Sequence, residues 1–129
     1  MKHAMVWMDQ REARVFEVDA DQIEKSLVHA PGAHIHRHAN EKDVRVRNHP
    51  DDEHRFFHEV ARALDGHGQV LVVGPSQTKL HFIKYVHQHD HALAQRIVGV
   101  ESSDHPSDGQ LAAHLRHYFN DLVPGRPPA

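Results

Sequence analysis

The chain has 129 residues, 39% of them hydrophobic, no cysteine, and a formal charge of −3 with histidine neutral. Those figures describe one domain, residues 1–129, able to fold without staples, and they exclude a disulfide framework and thiolate metal sites. No apolar run reaches the ~20 residues of a bilayer span, so no membrane helix is expected.

The sixteen histidines are the compositional anomaly. With an ordinary pKa near 6.5, about three-quarters of them would be charged at pH ~6, adding roughly twelve positive charges. A mildly acidic surface would then become basic within about one pH unit, and attraction to nucleic acid would follow.

The N-terminal MKHAMVWMDQR places Asp9 and Gln10 where a signal peptide needs its apolar centre, so a cytoplasmic protein is expected. Its AMVWM run suits a central strand. Glu12 to Val18 follows at once, with Ala13, Val15, Phe16 and Val18 apolar, and the short connection predicts an antiparallel hairpin. Ile23 to His29 is a third strand, interrupted by Glu24, Lys25 and Ser26 and therefore at or near an edge.

Residues 30–50, APGAHIHRHANEKDVRVRNHP, break the pattern and predict a long functional loop. Asp51, Asp52 and Glu53 then suit a helix N-terminus beside Pro50. Phe56, Phe57, Val60, Ala61 and Leu64 form its apolar stripe, and Gly66 stops it.

Val70 to Val73 is a short continuous apolar run ending at Gly74-Pro75, which predicts a strand buried on both faces. Ser76 is placed to cap a helix running to about Gln88, with Leu80, Ile83 and Val86 as its apolar positions. Ala92 to Gln95 fits neither period clearly. Arg96 to Val100 predicts another buried strand, and Ser107 or Asp108 caps a last helix bearing Leu111, Leu115, Tyr118, Phe119 and Leu122. Pro124-Gly125 ends that helix, and residues 124–129 are expected to be a disordered tail.

The order is β-β-β-α-β-α-β-α, an α/β fold with a five-stranded mixed sheet and helices on both faces, as in ribonuclease H-like proteins. Nucleases of that fold place carboxylates on the first strand, first helix and fourth strand to hold two metal ions. Asp9 and either Glu53 or Glu59 fit the first two places, but the fourth strand ends in Gly74-Pro75 with no carboxylate.

Three other clusters carry chemistry. Arg37, Lys42, Arg45 and Arg47 supply cations on the long loop, suited to RNA phosphates. His34, His36 and His38 alternate and could ligate zinc or another divalent transition metal. Ser76, Gln77, Thr78 and Lys79 open a helix where exposed N–H groups and an ammonium could hold an anion, although the Gly-Lys-Ser/Thr ending of a P-loop is absent. Ser102, Ser103, Asp104 and His105 contain the residue types of a hydrolase triad but are sequence neighbours, so they read as a capping turn.

FFHEVARAL, VLVVGPSQTKLHFIKYV and RIVGVESS together resemble the middle domain of the archaeal and eukaryotic peptide-chain release factor and Pelota group. Gly74, Pro75 and Lys79 match its strand, Gly-Pro turn and lysine-bearing helix start. The resemblance covers Phe56 to Ser103 by sequence and the rest by order of elements. In release factors, the loop before the first helix carries a Gly-Gly-Gln motif that assists peptidyl-ester hydrolysis. Here that loop has Pro31-Gly32-Ala33 instead, as Pelota-like proteins also lack the motif.

The resemblance implies a stand-alone relative of the kind called translational machinery proteins, without the family's flanking domains. The function expected is non-catalytic binding to the ribosome or structured RNA through the long loop. A histidine-rich metal-binding protein and a peptidyl-ester hydrolase are the alternatives, and a homodimer is left open.

Overall fold

The computed structural model describes residues 3–19, 22–31, 50–66 and 68–122. Its strands are β1 (His3–Met8), β2 (Glu12–Asp19), β3 (Gln22–His29), β4 (Val70–Gly74) and β5 (Ile97–Ser102). Its helices are α1 (Pro50–Ala63), α2 (Thr78–His89), α3 (His91–Arg96) and α4 (Asp108–Leu122). The sheet order is β3-β2-β1-β4-β5. β1, β2 and β3 are antiparallel neighbours, whereas β1, β4 and β5 run parallel. This is the mixed five-stranded ribonuclease H-like arrangement expected from the order of elements.

The unbroken apolar runs of β1 and β4 follow from helices on both faces. Ala4, Val6 and Met8 point to the side covered by Phe56, Phe57 and Val60 of α1, by Leu64 just after it, and by Phe82 and Val86 of α2. Met5, Trp7, Leu71 and Val73 point to the other side, against Leu111, Leu115 and Phe119 of α4. Each large apolar side chain fully buried in this way contributes about 1.5–3 kcal/mol.

Local chemistry fixes the joints. At the β1–β2 hairpin, the Asp9 carboxylate accepts the backbone N–H groups of Arg11 at 2.8 Å and Glu12 at 3.0 Å. An aspartate closing its own turn replaces the Asn-Gly signal of a tighter hairpin. After α1, Gly66 adopts φ +81°, a left-handed conformation that favours glycine. Ser107 and Gln110 cap α4 reciprocally, with Ser107 Oγ accepting the Gln110 N–H at 3.1 Å and Gln110 Oε1 accepting the Ser107 N–H at 2.9 Å.

Four expectations change. Gln77, not Ser76, is the residue preceding α2, and its side chain makes no capping hydrogen bond. The buried side of α2 is Thr78, Lys79, Phe82 and Val86, leaving Leu80 51% exposed. The ambiguous residues around Ala92 to Gln95 form the short helix α3, capped by Asp90, whose carboxylate accepts the Leu93 N–H at 3.1 Å. β5 is an edge strand with every second residue exposed rather than a strand buried on both faces. The proposed tail, residues 124–129, and most of the 30–50 loop lie outside the described residues.

Candidate functional site

Because β1, β4 and β5 are parallel, their carboxyl ends share one rim of the sheet, the edge where open α/β folds commonly bind ligands. Three connections meet there: the Asp9–Arg11 turn, the Gly74–Gln77 turn, and the Ser103–Ser107 turn. They are cross-linked. Ser103 N–H donates to the Gly74 carbonyl at 3.0 Å, and the indole Nε1 of buried Trp7 donates to the Asp104 carbonyl at 2.9 Å. The His105 ring packs edge-on against Trp7, with its Nε2 3.4 Å from Asp9 Oδ2.

Gly74 is fixed by packing, since a Cβ there would run into the Met8 carbonyl oxygen of neighbouring β1. The place where a two-metal nuclease carries its fourth-strand carboxylate therefore has no room for a side chain. Asp9 is occupied with its own turn, and Glu53 lies 3.3 Å from His81 Nδ1.

Arg14 braces the rim from β2. Its guanidinium lies 4.3 Å over the Trp7 ring and donates to the Pro106 carbonyl at 3.0 Å and to Asp108 Oδ1 at 2.8 Å. Lys25 reaches the other Asp108 oxygen at 2.6 Å. These two hydrogen-bonded cations hold the Asp108 carboxyl below its ordinary pKa.

The described residues that flank 32–49 also lie at this rim. The Ala30 N–H donates to the Arg11 carbonyl at 2.8 Å, which anchors the end of β3 beside the Asp9 turn. On the other flank, the Glu53–His81 pair holds the first turn of α1 against the first turn of α2. Arg37, Lys42, Arg45 and Arg47, and likewise His34, His36 and His38, lie outside the described residues.

Of the four residues suggested for an anion, Ser76 and Gln77 are exposed and Thr78 is buried. Lys79 is only 6% exposed, and its Nζ donates to the Ser76 carbonyl at 2.7 Å. Its ammonium thus ties down the turn that begins α2.

A second surface adjoins the rim and was not singled out from sequence. A cleft of about 310 Å³ opens between α1 and α2, lined by Glu53, His54, His81, Lys84, Tyr85 and Gln88 among others. His54 and Tyr85 have ring centroids 5.5 Å apart, and Tyr85 and His89 4.6 Å apart. The signal in the sequence is the four-residue spacing of Tyr85 and His89, which puts both on one side of a helix. Recognising it also requires knowing that α1 lies alongside.

No family profile matches the chain, and no curated protein matches it by sequence. Solved structures do match by fold. The Pelota protein of Thermoplasma acidophilum superposes with a TM-score of 0.62 over 98% of this chain, at 16% identity. Archaeoglobus fulgidus Pelota gives 0.64 over 94%, at 15% identity. The chain has a Pelota-like fold. The archaeal translation termination factor aRF1 carries it too, with a TM-score of 0.57 over 94% of this chain and 9% identity. This chain spans 36%, 32% and 41% of those three proteins respectively, so the Pelota-like fold corresponds to part of each. The match extends beyond Phe56 to Ser103, the stretch where the sequence resemblance lay, and takes in the three-stranded N-terminal meander.

Proposed function

We propose that this protein is a translation-associated binding module that contacts the ribosome or structured RNA with the carboxyl rim of its sheet. The observation that carries the reading is that the described residues on either side of 32–49 are fixed at that rim, Ala30 on Arg11 and Glu53 on His81. Arg37, Lys42, Arg45 and Arg47 supply the cations that a phosphate backbone attracts. The fold supports a translation setting, because aRF1, one of the solved structures that match this chain, is a translation termination factor. Binding rather than catalysis is favoured because this segment has no Gly-Gly-Gln and because Asp9 and Glu53, the carboxylates that fit a metal nuclease by position, already have partners. The protein acts in the cytoplasm in this reading.

Gradient sedimentation of untagged protein with ribosomes at low salt tests the reading. Co-migration is the expected result. Protein that stays at the top of the gradient would refute it. Retention of a transition metal by protein prepared without added nickel would instead move the assignment to His34, His36 and His38.

A further inference from the structure

The two edges of the sheet are built differently. β3 carries Glu24, Lys25 and Ser26, the charged and polar side chains that discourage edge-to-edge pairing. β5 reads IVGVES, with no lysine, no proline and no charge before Glu101. Among the described residues nothing pairs with its outer side. Four large hydrophobic side chains are exposed on the described surface, and two of them are on this strand: Val98 at 38% and Val100 at 40%.

We propose that β5 pairs antiparallel with β5 of a second copy of this chain, joining two five-stranded sheets into one. The backbone has the right parity. Ser103 N–H points inward to the Gly74 carbonyl, so by alternation Glu101 and Gly99 bond to β4 and the N–H and C=O groups of Val100 point outward, free to form the new ladder. Val98 precedes this run, where the β4–β5 register shifts.

A two-fold axis at Gly99 places Val98 of one copy opposite Val100 of the other, and the reverse. Four valines then share one face, the face on which Val100 lies beside Val72. On the other face the Tyr118 hydroxyl already lies over Gly99, where a Cβ would meet it at 2.8 Å. The small residue lets the two strands approach at the axis, where non-hydrogen-bonded Cα atoms come within about 4.5 Å.

The charges that flank the strand already have partners within the chain: Arg96 donates to the Leu64 carbonyl at 3.4 Å, and Glu101 lies 2.7 Å from His114 Nε2. The chain's own C-terminal residues are a poor substitute, because Pro124, Pro127 and Pro128 lack the N–H that a ladder requires.

Sedimentation equilibrium on the full, untagged chain over a concentration series tests the proposal. The expected result is a reversible shift from 14.8 kDa towards twice that mass, abolished by Val98→Lys and by Val100→Lys. Both sites are partly exposed, so the variants keep the native circular dichroism. Because the protein has no cysteine, a mixture of Val98→Cys and Val100→Cys variants should form an oxidative cross-link that neither variant forms alone. A monomer at every concentration would overturn the proposal. So would a dimer that survives both lysine substitutions, or one in which the cysteine mixture does not cross-link.

Discussion

Single side chains hold the rim by contacts that span most of the sequence. Arg14 joins β2 to the turn before α4 through Trp7, Pro106 and Asp108. Replacing it with methionine keeps much of the packing but removes charge-assisted hydrogen bonds, at a cost of roughly 1–3 kcal/mol. Lys25→Ala, which removes only the more exposed partner of Asp108, should cost under about 1 kcal/mol. Urea unfolding of the two variants would expose any reversal of that order. Gly74→Ala is expected to lower the melting temperature, because its methyl group meets the backbone of β1 and not a yielding side chain.

His3 gives the fold a dependence on pH. Its ring stacks on Phe119 at 4.7 Å, and its Nδ1 accepts the Gln69 N–H at 3.1 Å, which requires that nitrogen to be unprotonated. Burial holds its pKa below the ordinary value. As pH falls, the unfolded chain takes up this proton first. The stability linked to His3 is therefore full above about pH 6.5 and declines as pH falls through the lowered folded value. Gln at position 3 can still accept the bond but does not titrate. Unfolding of His3→Gln should vary less with pH between about 7.5 and 5 than that of the native chain. Equal slopes would remove His3 from the account.

At the scale of elements, α2 shows where sequence periodicity misleads. Of Leu80, Ile83 and Val86, which recur at helical spacing, Val86 is buried and Ile83 packs against the core, but Leu80 is exposed and the buried side also takes in Thr78, Lys79 and Phe82. The buried threonine and lysine displace the apparent stripe, since Lys79 lays its alkyl chain inward while its ammonium finds the Ser76 carbonyl. Leu80→Ser should accordingly change stability by about 0.5 kcal/mol or less, whereas Phe82→Ala should cost about 3–5 kcal/mol. Thermal melts of the pair decide which side of the helix is core.

β1, β4 and α1 were legible because their apolar residues are continuous or periodic and are buried as the pattern implies. β5 was legible as a strand but not as an edge. Val98 and Val100 look like core residues until the strand order leaves them, among the described residues, without a neighbour on the outer side. The Trp7–Arg14–Asp108 brace and the His54–Tyr85–His89 cluster could not be read in advance, because each joins residues brought together only by the completed fold.

For the whole molecule, the arrangement of parallel strands collects the Asp9 turn, the Gly74 turn, the turn after β5 and the described residues flanking 32–49 on one edge. The Pelota-like fold covers nearly the whole chain, and the segment between β3 and α1 contains cationic residues and no Gly-Gly-Gln. The histidine content adds a whole-molecule prediction: ribosome or RNA association should be stronger at pH ~6 than at pH ~7.5, as neutral imidazoles become cations.

The most direct measurement is the salt dependence of ribosome association for the native chain and for the Arg45→Ala, Arg47→Ala double variant. The rim account predicts steep salt sensitivity in the native chain. It predicts weaker binding in the variant, with a slope of log K against log salt shallower by about 1.5. Unchanged affinity and slope after the double substitution, or no association even at low salt, would contradict it.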